Sequence, residues 1–168
     1  MNFKVGDKVV YPGSGVGTIL AIESLNIEGV IDVCYAIKIL NDGMTVHVPT
    51  SKASILGIRD VISVEQVGKV YEVLQDRDVP ADNQTWNRRY REYVNKMQTG
   101  DPIEVAKVLR DLALLRKDKN LSFGERKMYD KASSLLIQEL AEAENHPEPE
   151  VRARVERIFK GTPAPPAA

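Results

Sequence analysis

The sequence has a single cysteine, Cys34, among 168 residues, so an internal disulfide is excluded. Cys34 lies in the apolar run Val33-Cys34-Tyr35-Ala36-Ile37 and reads as a small core residue, not a nucleophile. Histidine is nearly as scarce. His47 and His146 are far apart and have no cysteine at metal-binding spacing, so a zinc site is not expected. Paired carboxylates are also missing. Asp101, Glu104 and Glu125 sit at helix starts, and no acid is set in an apolar run beside a second one. Without a catalytic constellation the chain reads as a non-enzyme that needs neither metal nor cofactor. No apolar run approaches the roughly 20 residues that span a bilayer. The start, Met1-Asn2-Phe3-Lys4, carries no apolar signal region, and a cytoplasmic location is expected. Gly13-x-Gly15-x-Gly17 lacks the Gly-Lys-Ser/Thr ending of a phosphate-binding loop. A strand follows where a helix would be needed, so the glycines read as a turn.

What is present is ordinary globular material, 43% hydrophobic and 28% charged. The length suits one domain of common size or two small ones. The first part alternates short β-rich runs with turns. Lys8–Tyr11, Thr18–Glu23, Val33–Leu40 and Met44–Pro49 read as strands. Asn41-Asp42-Gly43 supplies the positive φ of a hairpin turn. Pro49 cannot donate to a ladder and marks a strand end or edge. Short strands with Gly-rich turns predict a small SH3-like barrel over residues 1–60.

From Ser63 the apolar period becomes helical. Ser63-x-x-Gln66 and Ser122-x-x-Glu125 are capping boxes. Asp101-Pro102-x-Glu104 opens another helix, because proline loses nothing at that position. The predicted stripes are Val64, Val67, Val70, Tyr71 and Leu74, then Trp86, Tyr90, Tyr93, Val94 and Met97. Next come Val105, Val108, Leu109, Leu112 and Leu115, and then Met128, Ala132, Leu135, Leu136 and Leu140. His146-Pro147-Glu148-Pro149 breaks the fourth helix, and Val151–Lys160 forms a short fifth. The fold class is therefore α+β, with an all-α domain over residues 61–160 and a disordered tail over 161–168.

The net charge of -1 hides an asymmetry. Residues 82–131 carry 12 Lys+Arg against 8 Asp+Glu, while both flanks are net acidic. A basic centre of this size suggests a local footprint on a polyanion or a solvated face. Within it stands the only tryptophan, in Thr85-Trp86-Asn87-Arg88-Arg89-Tyr90-Arg91. A flat apolar ring between fixed cations suits a nucleic acid, with guanidiniums on phosphates and the ring wedged or stacked. The helical spacing of Trp86 with Tyr90 and Tyr93 equally suits a core stripe. Its place at a helix start favours exposure, because only one side of the ring has a turn to lie on. Arg126 and Lys127 fall in the first turn of the fourth helix, where cations oppose the macrodipole. That placement hints at a ligand.

Four blocks in one order carry a resemblance: Phe3–Pro12, Thr85–Tyr90, Val108–Leu112 and Leu121–Met128. Together the chain resembles the CarD/CdnL family of bacterial transcription regulators from Phe3 to about Phe159. The resemblance implies a Tudor-like barrel that pairs by a strand edge with the β subunit of RNA polymerase, through strands bearing Ile37, His47 and Pro49. It implies a helical domain that touches promoter DNA, a contact that the modest basic excess of residues 82–131 makes weak and poorly sequence-specific. There Trp86 would wedge into the minor groove, and Arg88, Arg89, Arg91, Arg126 and Lys127 would hold phosphates. Some relatives carry arginine where this chain has Leu25 and His47, so main-chain pairing is the part of the polymerase contact carried over most directly. The expected protein is a monomer with no membrane partner that stabilises the open promoter complex. The competing reading is a protein-interaction adaptor of the transcription machinery that does not bind DNA.

Overall fold

A computed structural model describes residues 2–78 and 85–161, except for the side chain of Asp118. The chain forms two compact units, Met1–Val61 and Ile62–Ala168. Most of the expected link 81–84 and tail 161–168 lies outside the described residues; only Gly161 is described.

The first unit is one antiparallel sheet of β1 (Lys8–Tyr11), β2 (Gly15–Ile27), β3 (Val30–Ile39), β4 (Thr45–Pro49) and β5 (Arg59–Asp60). A 3-10 turn at Thr50–Lys52 follows β4. The strand order is β4-β3-β2-β1-β5. β2 and β3 are longer than their apolar runs suggest. They meet at Glu28 and Gly29, both at positive φ (51° and 83°). That tight turn lets pairing continue from Gly17↔Ile39 to Ile27↔Val30, with a bulge between Ile19 and Ala21. Alternation places Tyr35, Ile37 and Ile39 on the face that holds the core, with Phe3, Val9, Ile19, Val48, Ala53 and Ile58.

The Gly13-x-Gly15-x-Gly17 spacing is structural, and its last member is in β2. A Cβ at Gly17 would stand 2.7 Å from Ile37 Cγ2 and 3.0 Å from the Lys38 carbonyl oxygen. The glycine is what lets β2 approach the buried side of β3.

The second unit comprises α1 (Val64–Gln75), α2 (Trp86–Gln98), α3 (Pro102–Asp118), α4 (Phe123–Glu144) and α5 (Glu148–Phe159). Both predicted capping boxes form, and Asp101 caps α3 by accepting from the Ile103 amide. α5 starts three residues before the expected Val151, because Pro149 falls in the first turn, where no amide is needed. Several predicted stripe positions, Trp86, Val94 and Leu115 among them, are less buried than expected. Val64, at the first position of α1, and Tyr90 are exposed, and Leu135 is half-buried.

α3 packs against each of the other four helices. Its Ala106, Val108, Leu109 and Leu112 are wholly buried. Polar clasps tie the rim. The Ile62 amide donates to Glu139 Oε2 at 3.0 Å. Tyr71 donates to Glu144 Oε2 at 2.9 Å while accepting from Arg154 at 3.3 Å, joining α1, α4 and α5. Burial, then the adjacent Glu144 carboxylate, pushes the Tyr71 hydroxyl up to about 12, so it is neutral at physiological pH. Tyr129 and Arg116 both donate to Glu156, joining α4 and α3 to α5.

Gly17→Ala is expected to destabilise the sheet unit by about 1–3 kcal/mol, the ordinary cost of overpacking. Urea unfolding of the variant measures this.

Candidate functional site

Trp86 is the first residue of α2, and no side chain caps the helix at Thr85. The indole is half-buried. It meets Tyr90 edge-on at 5.7 Å between centroids and the buried Tyr93 at 6.4 Å. Its other support is the start of α4. A Cβ at Gly124 would lie 3.3–3.5 Å from three atoms of the indole. Glycine in the first turn of a helix costs backbone entropy, and here it creates a seat for the ring.

Arg89 completes the seat. Its guanidinium carbon lies 5.6 Å from the Trp86 ring centroid. Its Nη2 is 3.6 Å from Glu125 Oε2, and only 14% of its side chain is exposed. Glu125 is buried, with 3% of its side chain exposed, and Lys119 Nζ lies 3.6 Å from its Oε1. That same Oε1 accepts from the Ser122 amide at 2.9 Å, while the Glu125 amide donates to Ser122 Oγ at 3.2 Å. Burial alone would raise the Glu125 pKa. The Ser122 hydrogen bonds and the Lys119 and Arg89 charges outweigh it, and the carboxyl titrates below its ordinary 4.5.

The remaining cations face solvent. Arg88, Arg91, Arg126 and Lys127 are exposed. Arg126 and Lys127 lie in the first turn and a half of α4, the same stretch that carries the Trp86 seat. Arg89 departs from its expected role. It turns inward to a buried acid and does not stand with the exposed phosphate-facing set. Sequence reasoning missed Phe123, which is 79% exposed at the head of α4 with Lys127 Nζ 5.5 Å from its ring centroid. It also missed Gly124 and the inward role of Glu125. The signal for Gly124 was a glycine where the helix tolerates one only at a cost. For Glu125 the capping-box reading was correct but incomplete.

The strand edge is a separate place in the fold. β4 ends the strand order and, among the described residues, has β3 as its single neighbour. The Ile39 amide donates to the Met44 carbonyl at 2.8 Å, which sets the phase of the β3–β4 ladder. With the register Ile37↔Val46 and Ala36↔His47, alternation turns the main-chain groups of Thr45 and His47 away from β3. Pro49 closes the strand. His47 is exposed and pairs diagonally across β3 with Glu23 at 3.2 Å; His47 stands opposite Ala36 and Glu23 opposite Cys34. Ile37 is different. It is 0% exposed within the sheet core, so its side chain has no surface to offer a partner. It lies on the core face because it pairs with Val46 and Ile19, one residue out of phase with His47.

Residues 3–62 match the CarD-like/TRCF RID domain family, and residues 69–156 match the CarD C-terminal domain family. A Bacillus subtilis (strain 168) protein named "Putative transcription factor YdeB" is 37% identical over 142 residues, covering 82% of this chain and 90% of that protein.

Glu125 provides a pH test. Its folded-state pKa lies below the ordinary value, so its stabilisation is complete above about pH 4.5 and is lost as pH falls further. Glu125→Gln keeps the side-chain shape and removes the charge. It keeps the Ser122 hydrogen bond and loses only the charge, so it is expected to cost about 1 kcal/mol at pH 7, the scale of one pKa unit. The difference from wild type should shrink in melts at pH 3.

Proposed function

The chain belongs to the CarD family of transcription factors, and from that premise we propose that it holds RNA polymerase and promoter DNA at once and stabilises the open promoter complex. The barrel edge β4 pairs with the polymerase β subunit. The α2–α4 surface meets promoter DNA, with Trp86 as a wedge in the minor groove and Arg88, Arg91, Arg126 and Lys127 on phosphates. Arg89 supports the wedge from behind. The protein works without catalysis, as a monomer in the cytoplasm, associated with the nucleoid through polymerase.

The observation that carries this reading is the half-buried Trp86. Its ring is supported by Gly124 and Arg89, and exposed cations on α2 and α4 surround the region. An indole serving only as core would be enclosed, and one serving no purpose would not have a glycine seat. The net charge of the basic stretch is modest, so free DNA binding is weak and salt-dependent. Tethering supplies the rest. A contact held at polymerase by a short link acts at about millimolar local concentration. A differential of ~1.4 kcal/mol then shifts open against closed about tenfold.

Trp86→Ala tests the wedge. Because the ring is half-buried, the expected stability cost is about 1–2 kcal/mol, below the ~3–5 kcal/mol of an enclosed tryptophan. Polymerase binding should be unchanged, while open complexes challenged with heparin should decay several-fold faster. An unchanged lifetime would remove Trp86 from the promoter. A loss of stability in the full core range would return it to the interior.

The edge has its own test. His47→Pro deletes an outward amide and leaves the β3–β4 ladder intact, since proline is tolerated where the N–H faces away. The variant should keep its melting temperature within a few degrees and bind polymerase about tenfold more weakly, a loss of ~1.4 kcal/mol. Full retention of polymerase binding would place the contact elsewhere.

A further inference from the structure

We propose that Glu125 is the positioning residue of the Trp86 wedge, a role that rests on the promoter reading above. Its two carboxylate oxygens have separate tasks. Oε1 accepts from the Ser122 amide and closes the capping box of α4. Capping needs nothing more. Oε2 faces Arg89 at 3.6 Å and, among the described residues, has no hydrogen-bond partner, and Arg89 Nε is likewise buried without one.

A pair built only for stability would satisfy those atoms or be replaced by apolar packing, since buried charge is expensive. The arrangement has a different result. Attraction to the buried carboxylate draws Arg89 out of the exposed set formed by Arg88 and Arg91. It sets the guanidinium over the Trp86 ring at 5.6 Å, where a cation is favourable. The indole then lies against both Arg89 and the bare Gly124 backbone. A ring whose orientation is fixed before contact gives up less freedom on insertion. Three consecutive residues of α4 therefore share the work. Phe123 stands exposed, Gly124 seats the indole, and Glu125 restrains the cation above it.

Glu125→Gln separates the tasks, because the amide oxygen can still accept from Ser122 while the amide nitrogen meets Arg89. The sole tryptophan makes the full-length chain its own probe. Acrylamide quenching of Trp86 fluorescence should rise about twofold in Glu125→Gln. Open-complex lifetime on heparin challenge should fall several-fold, and polymerase affinity should stay the same. Arg89→Gln should reproduce both changes from the other side of the pair. Ser122→Ala weakens the cap without touching Oε2 and should leave quenching and lifetime near wild type. Wild-type quenching in both Glu125→Gln and Arg89→Gln would overturn the proposal. So would equal effects from Ser122→Ala, which would reduce Glu125 to a helix cap. If quenching rises but lifetime is unchanged while Trp86→Ala shortens it, positioning is not used at the promoter and the proposal fails. If Trp86→Ala itself leaves lifetime unchanged, the promoter reading fails, and the quenching series alone decides whether Glu125 restrains the ring.

Discussion

The apolar surface of α3 is the constraint on which the helical unit depends. It contacts all four other helices, and Leu109 and Leu112 have no exposed surface. Each buried leucine contributes about 1.5–3 kcal/mol, and no disulfide shares the load. The arrangement also determines what α2 can do. α2 rests on α3 through Tyr93 and Met97 in its later turns, so its first turn lies at the margin of the core. Trp86 is half-buried for that reason, and the start of α4 supplies the rest of its support.

Much of the helical architecture was legible because its signals are local. Ser63 with Gln66, Ser122 with Glu125, and Asp101 with Pro102 each declare a helix start within four residues. Asp42-Gly43 declares a hairpin in the same way. The Glu28-Gly29 turn was not legible, because glutamate seldom adopts positive φ and gives no turn signal. β5 is two residues long and forms only because β1 offers it an edge, which no pattern within Arg59-Asp60 reveals.

The site was legible in its residue types but not in their directions. A triplet such as Arg88-Arg89-Tyr90 fixes angles around a helix, yet it does not say which side meets a buried acid 36 positions later in the chain. Arg89 points inward because Glu125 is there, a long-range fact. Ile37 shows the same limit in a strand. Alternation separates two faces without saying which is the core, and the Val46 and Ile19 partners decide it. Phe123 ran against the usual expectation, since an aromatic residue at a helix start is more often folded in than left in water.

The edge strand has a consequence for time. β4 is five residues long and closes at Pro49, so an incoming strand can bond only to the outward groups of Thr45 and His47 and to the Pro49 carbonyl before the ladder ends. Each such bond is worth about 0.5–1.5 kcal/mol net. The energy stored in strand addition is small, and affinity differences of this kind reside in the off-rate. On the proposed reading, a protein attached this way would dissociate quickly once the DNA contact is broken. Departure from a polymerase that has left its promoter would then need no separate release step, and one molecule could serve many initiation events in turn.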